Sequence, residues 1–304
     1  MKILLTGRNG QLGQELLAIR PADIEVIAPT RQVLDIRDPD RIRSIIKEHS
    51  PELIINCAAY TKVDLAEAER EAAFEINHEG VHNILIAARD TGARFIHIST
   101  DFVFDGRNST PYLPDSPVNP LSIYGKSKSL GEQVLLDDYV DKTIIIRTSW
   151  LYSSHGQNFV KSILRLCRKQ DSLNVVSDQV GTPTWARGLA SVIWHFVRHD
   201  CVNGVIHWSD SGVASWYDFA CAIMEEGLSA GLLDKAVTIN PIHTCDYPTA
   251  APRPAYSVLD KTATWKLLGY RGNHWRHALG NMLHEYKALT GSENAQSLYA
   301  VPDR

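Results

Sequence analysis

The chain has 304 residues, with 31 Lys plus Arg against 35 Asp plus Glu for a formal net charge of −4; at roughly 150 residues per domain this allows about two domains or one large α/β unit. So mild a charge excludes a polyanion-binding surface as the main function, so no nucleic-acid partner is expected, and 44% hydrophobic against 22% charged residues excludes a largely disordered chain. Cys57, Cys167, Cys201, Cys221 and Cys245 are odd in number with no C-x-x-C pair, and no apolar run is long enough for a membrane span, so a cytoplasmic protein without disulfide framework, zinc ribbon or membrane partner is expected.

Short apolar runs at Ile3–Leu5, Ile24–Ala28, Leu53–Cys57, Phe95–Ile98 and Thr143–Ile146 predict strands. Helical periodicity separates them at Gln11–Arg20, Pro39–His49, Ala66–Asp90 (with a break near Glu71–Phe74) and Ser122–Asp138. That alternation predicts βαβ units and a doubly wound parallel sheet.

The first strand runs into Gly7-Arg8-Asn9-Gly10-Gln11-Leu12-Gly13, a G-x-x-G-x-x-G turn at the head of a helix. Glycine allows the tight turn, lets backbone approach a pyrophosphate and permits close helix–strand packing, while the helix N-terminus faces the anion. The second strand ends near Ala28–Arg31, where NAD-preferring folds offer an acidic group to the ribose; here the residues are Pro29-Thr30-Arg31. A guanidinium suits a 2′-phosphate and no carboxylate at that spot repels it, so NADPH should serve at least as well as NADH. Asp35-Ile36, opening the next loop, are candidates for adenine contact.

Ser99-Thr100-Asp101 closes the fourth strand, at the carboxyl end where open parallel sheets place ligands. Pro111, Pro114, Pro117 and Pro120 then predict a stiff extended loop. The helix that follows carries Y-x-x-x-K, with Tyr124 and Lys128 about one turn apart on one face. An adjacent ammonium should lower the phenol from its ordinary value of about 10. Tyr124 is thus the candidate proton donor to a carbonyl that Thr100 hydrogen-bonds, and Lys128 the group that tunes it and holds the nicotinamide ribose.

Beyond Trp150, helices are predicted at Asn158–Lys169, Trp185–Arg198, Ser215–Gly227, Lys261–Leu268 and Asn273–Thr290, and strands near Asn174–Val176, Val205–Trp208 and Val237–Ile239. Residues 1–150 are expected to bind the cofactor, with some later segments returning to that part. Residues 151–290 should mainly bind substrate, and 291–304 should form a mobile tail. Arg253, stiffened between Pro252 and Pro254, suits a substrate diphosphate. The His78/His82 and His195/His199 pairs have chelating spacing but lack the glutamate of H-E-x-x-H, so no metal role is assigned to them.

The glycine turn, the Ser-Thr-Asp strand end and the Tyr–Lys helix, with Asn77-His78-Glu79-Gly80-Val81-His82-Asn83 between them, resemble the extended short-chain dehydrogenase/reductase family, whose members act largely on nucleotide sugars. Gly10-Gln11-Leu12-Gly13, Ala58-Ala59-Tyr60-Thr61-Lys62-Val63-Asp64, Ser99 to Gly106, Arg147-Thr148-Ser149-Trp150 and Arg253-Pro254 resemble its dTDP-4-dehydrorhamnose reductase branch over nearly the whole chain. The resemblance implies a Rossmann-type sheet with a smaller α/β substrate domain. It implies NAD(P)H-dependent reduction of the C4 ketone of dTDP-4-dehydro-β-L-rhamnose to dTDP-L-rhamnose, for cell-surface polysaccharide.

By motif match it makes Thr100, Tyr124 and Lys128 catalytic. Gly7, Asn9, Gly10, Gln11, Leu12, Gly13, Arg31, Asp35, Ile36, Ala58, Ala59, Tyr60 and Thr61 would line the cofactor with Tyr124 and Lys128. Asp101, Phe102, Trp150 and Arg253 would meet the substrate with Thr100 and Tyr124. Phe102 departs from the family's usual tyrosine. The resemblance also implies Mg2+ held by glutamates at a homodimer contact; Glu15 fits that pattern, and Arg187 stands where a carboxylate is expected. Two other readings stay open. One is a non-catalytic NADP-binding regulatory subunit similar to the methionine adenosyltransferase β subunit, against which the intact Thr100, Tyr124 and Lys128 count. The other is an epimerase or dehydratase, of which a dehydratase would need a second acid–base group that Phe102 does not supply.

Overall fold

The computed structural model describes residues 1–199 and 202–291; the predicted tail falls almost wholly outside them. The first half contains β1 (Lys2–Thr6), α1 (Gln11–Ala18), β2 (Glu25–Ile27), α2 (Pro39–His49), β3 (Leu53–Asn56), α3 (Val63–Ala66), α4 (Arg70–Phe74), α5 (Gly80–Thr91), β4 (Arg94–Thr100), α6 (Ile123–Tyr139) and β5 (Thr143–Thr148). Next come β6 (Leu151–Tyr152), α7 (Phe159–Lys169), β7 (Ser172–Val176), β8 (Val180–Gly181), β9 (Thr184–Trp185), α8 (Ala186–Val197) and β10 (Gly204–His207). β11 (Ala214–Ser215), α9 (Trp216–Ser229), β12 (Thr238–Ile242), α10 (Thr262–Leu268) and α11 (Trp275–Gly291) complete the described chain.

The main sheet is six-stranded in the order β10-β5-β4-β3-β1-β2, every pair parallel. Alternate strand residues leave opposite faces. Ile3 and Leu5 join a core with Leu12 and Leu16 of α1 and Leu189 and Ile193 of α8. Leu4, Ile54 and Phe95 join a second core with Ile42 of α2, Leu85 of α5 and Leu135 of α6. Both faces are covered by helices, as the near-continuous apolar strands require. β10 lies beyond residue 150 yet pairs with β5. A third core, with Tyr152, Leu164, Phe219 and Leu283, is built by α7, α9 and α11 around the β7–β12 pair.

Strand order reverses between β1 and β3, so a crevice opens beyond the carboxyl ends of these strands. The helix predicted over Ala66–Asp90 is interrupted more than expected: α3 and α4 are separate, and a π-helical stretch at Glu75–Glu79 leads into α5. That stretch carries the buried Asn77, whose Oδ1 accepts from the Tyr60 N–H at 2.8 Å. Its Nδ2 donates to the Tyr60 carbonyl and to Ser127 Oγ, both at 3.0 Å. The bulge therefore ties the loop after β3 to α6, a use to which π-bulges at functional sites are often put. No described helix is long and apolar enough to cross a membrane.

Candidate active site

A cavity of about 190 Å3 opens at the ends of β1, β2 and β3, lined by Gly7, Arg8, Asn9 and Gly10 on one side and by Arg31, Asp35, Ile36, Ala58 and Ala59 on the other. Gly7 has φ +73°, and a Cβ there would sit 2.5 Å from the Cys57 backbone, so this turn can press against the exit of β3 only as glycine. The N-terminus of α1 opens at Gly10 without a side-chain cap, leaving its first-turn N–H groups for an anion. The turn, the uncapped helix and the cavity together fit a dinucleotide.

A carboxylate from further along the chain does stand beside Arg31. The chain turns back after Thr30, through hydrogen bonds from Val33 and Leu34 to its carbonyl, and brings Asp35 into the same cavity. Arg37 Nη2 lies 2.7 Å from Asp35 Oδ2 and Arg31 Nε 3.4 Å from it; hydrogen bonding to Arg37 holds the Asp35 carboxyl down at about 2. A fixed negative charge thus stands there, compensated by two arginines. Arg8, to which the sequence reading gave no role, also lines the cavity, with Nη1 donating to the Ala28 carbonyl at 2.8 Å.

Other residues assigned to the cofactor do not line this cavity with their side chains, although Gln11, Leu12 and Gly13 supply the uncapped first-turn N–H groups of α1. Leu12 is in the core with Leu16, and Gly13 is buried where α1 meets the turn. Gln11 Oε1 accepts from Asn158 Nδ2 at 2.9 Å, Tyr60 donates its hydroxyl to Glu69 at 2.7 Å, and Thr61 is exposed.

Thr100, Asp101, Phe102 and Tyr124 come together where β4 meets α6. The helix starts just before the tyrosine because Ser122 Oγ accepts from the Gly125 N–H at 3.1 Å and Glu67 accepts from the Ile123 N–H at 2.8 Å. A Cβ on Gly125 would lie 2.2 Å from the Phe102 carbonyl oxygen, so this glycine lets α6 close onto the turn after β4. Phe102 packs edge-on to Tyr124, ring centroids 5.6 Å apart. Burial pushes the Tyr124 phenol up to about 12, more than the neighbouring Thr100 hydroxyl lowers it. This overturns the expected lowering by Lys128, which is not among the groups acting on the phenol: desolvation is the largest effect, and Tyr124 keeps its proton. Thr100 Oγ1 also donates to Asp101 Oδ1 at 3.1 Å. Burial raises Asp101 to about 6, and its Oδ2 is buried without a hydrogen-bond partner. Lys128 is buried, and its Nζ donates to the Ile98 carbonyl at 2.7 Å.

Trp150 has φ +47° and stacks on Trp216 of α9 at 3.5 Å between ring centroids. Trp216 lines a second cavity of about 500 Å3 with Phe159, Tyr247 and Arg253. Arg253 is held by Asp64, Nη2 to Oδ2 at 2.6 Å, a partner the sequence reading did not assign.

The residues implied for Mg2+ do not fit a cation as they stand. Glu15, His155 and Glu285 cluster closely, but the Arg187 guanidinium is among them. Its Nε is 2.5 Å from Glu15 and its Nη2 2.9 Å from Glu285, so the positive charge is already supplied.

A family model described as RmlD substrate binding domain matches residues 1–288. The spore coat polysaccharide biosynthesis protein SpsK of Bacillus subtilis is 42% identical over 286 residues, spanning 93% of this chain and 97% of that protein. A dTDP-4-dehydrorhamnose reductase of Aggregatibacter actinomycetemcomitans is 41% identical, spanning 92% and 98%. Among solved structures, the dTDP-4-dehydrorhamnose reductase of Bacillus anthracis in complex with NADP superimposes with a TM-score of 0.87 at 36% identity, covering 93% of this chain and 99% of that one.

Proposed function

Because the chain belongs to the RmlD substrate binding domain family, we propose that it is an NADPH-dependent ketoreductase that converts dTDP-4-dehydro-β-L-rhamnose to dTDP-L-rhamnose for polysaccharide synthesis. One observation carries the reading: at the end of β4 the Tyr124 phenol, kept protonated by burial, stands against Thr100, with the buried Lys128 one turn further along α6. This lies at the same carboxyl end of the parallel sheet as the glycine cradle.

When bound, the nicotinamide supplies hydride to C4. Thr100 orients the C4 carbonyl through its hydroxyl, and Tyr124 delivers its proton as negative charge gathers on the oxygen, general acid catalysis by a group that burial keeps protonated and neutral. Asp101 Oδ2, buried and unpartnered, accepts from a sugar hydroxyl. Gly7, Asn9, Gly10, Ala58 and Ala59 hold the dinucleotide, and Arg8 and Arg31 meet its 2′-phosphate. Residues 1–150 with β10 form the cofactor part, while Trp150, Trp216 and Arg253 serve the nucleotide-sugar side, Arg253 on the diphosphate. The test is oxidation of NADPH by purified protein with dTDP-4-dehydro-β-L-rhamnose. Turnover that stops with Tyr124→Phe while NADPH still binds is the expected result; a wild type that binds NADPH and never turns over overturns the reading.

A further inference from the structure

A row of buried polar side chains runs beneath the glycine cradle and takes no part in the mechanism above. Thr6, Asn56 and His97 are cross-strand neighbours on β1, β3 and β4, so their side chains leave one face of the sheet. Thr6 Oγ1 donates to Asn56 Oδ1 at 2.6 Å, and the Ala58 N–H donates to the same oxygen at 3.2 Å. Asn56 Nδ2 meets His97 Nδ1 at 3.2 Å, and His97 Nε2 meets Lys128 Nζ at 3.2 Å. His97 is completely buried.

The row has a direction. Two donors on Asn56 Oδ1 fix that amide, so its NH2 faces His97 and Nδ1 accepts. Burial, with Lys128 alongside, keeps His97 neutral, and a neutral imidazole has one hydrogen. That hydrogen is therefore on Nε2 and faces Nζ, which already donates to the Ile98 carbonyl. An amine has the lone pair to accept it; an ammonium has none. Protonating Lys128 thus costs a buried hydrogen bond.

We propose that His97 is a positioning residue for Lys128: held through Nδ1 by Asn56 and Thr6, it presents an N–H to Nζ, fixes the lysine against the Ile98 carbonyl and weakens its hold on a proton. Lys128 then gains and loses a proton near neutral pH in place of standing as a permanent cation. The other ionisable groups acting on it are Glu132 on its own helix and Cys57 after β3. Glu132 is spent on Arg147, with contacts of 2.6–3.1 Å, and burial pushes the Cys57 thiol up to about 12. Burial of Lys128 itself lowers it to about 8, in the same direction. The consequence for turnover rests on the catalytic role that the family resemblance implies for Lys128 beside Tyr124 and the nicotinamide ribose, but the tautomer and the lysine's proton affinity belong to the free protein.

Nitrogen-15 NMR of the free wild type, with the His97 ring assigned, tests the tautomer: a bare Nδ1 and a protonated Nε2 are expected, and the reverse, or an imidazolium, overturns the proposal. Carbon-13 NMR of the lysine side chains, with Lys128 identified by its absence from Lys128→Met, gives its titration midpoint. Removing the facing N–H in His97→Leu should move that midpoint up by about one pH unit, and the pH profile of turnover should move with it. No shift, or a downward one, means that His97 only fills space or accepts from an ammonium, and overturns the proposal. The wild-type tautomer decides alone if His97→Leu does not fold.

Discussion

Asp64 and Arg253, 189 positions apart, meet as a two-pronged ion pair, Nη1 to Oδ1 at 3.0 Å and Nη2 to Oδ2 at 2.6 Å. The Ala251 N–H donates to the same carboxylate at 3.1 Å, so α3 anchors the 251–253 loop at the rim of the second cavity. With this aim fixed, Arg253→Ala should raise KM for the nucleotide sugar by about 10- to 100-fold, the scale of one charge-assisted hydrogen bond set, and leave the NADPH dissociation constant unchanged. Asp64→Ala should show a smaller rise, because the guanidinium remains but its loop is freer. Steady-state kinetics with cofactor titrations check both; an unchanged KM in Arg253→Ala removes it from the substrate site.

Cofactor choice follows from the charges around Asp35. Arg8 and Arg31 line the cradle with the Asp35 carboxylate, and Arg37 holds that carboxylate by hydrogen bonds of 2.7–3.2 Å. Arg8→Ala should weaken NADPH by about tenfold and NADH little, because only NADPH offers a 2′-phosphate to the lost guanidinium. Asp35→Asn should favour NADPH further. Fluorescence titration with both nucleotides measures this; equal losses for both in Arg8→Ala would place the guanidinium elsewhere on the dinucleotide.

Strands, helices and the glycine turn were legible because a parallel sheet buried on both faces writes itself as short apolar runs between periodic segments. The same property hid His97. In Phe95-Ile96-His97-Ile98 a buried polar residue sits inside an apolar run, and nothing local tells which neighbour it faces. Asn56 appeared only as the end of a strand. The direction of the Tyr124 shift was misjudged because helical spacing shows that a lysine lies one turn away but not how thoroughly the phenol is desolvated. The Asp35 carboxylate beside Arg31 and the Asp64–Arg253 pair arise from a reversed loop and a long-range contact, neither of which spacing encodes.

Asp101 sets binding against stability. Burial raises its carboxyl from 3.8 to about 6, so between those values the folded protein holds a proton that the unfolded chain has lost. Stability attributable to this group is therefore greatest at acid pH, falls as pH rises through that window and stays low above it. A shift of this size is on the order of 2–3 kcal/mol. Asp101→Asn should melt higher than wild type above about pH 7, with the difference fading toward about pH 4, and should bind the nucleotide sugar more weakly. Melting curves across pH decide it; a difference that grows as pH falls contradicts the burial argument.

Arg187 of α8 closes on Glu15 of α1, whose carboxylate is fully buried and also accepts from Ser153 Oγ at 2.6 Å. Its other prong reaches Glu285 of α11, which accepts from Ser154 Oγ at 2.5 Å. One guanidinium thus bridges two carboxylates and joins three helices with the loop after β6. Arg187→Met should cost about 2–3 kcal/mol, less than a fully buried pair because one edge of the guanidinium meets solvent. Much of that loss should return in the double variant Glu15→Gln/Arg187→Met, since the penalty is the unpaired buried charge and not the missing contact. A chelator should shift neither the melting temperature nor turnover of the wild type, while Arg187→Glu, with a third carboxylate in the cluster, should be destabilised and regain stability on adding Mg2+. Loss of stability or activity of the wild type in chelator, restored by Mg2+, would show that the cluster takes a cation despite its arginine.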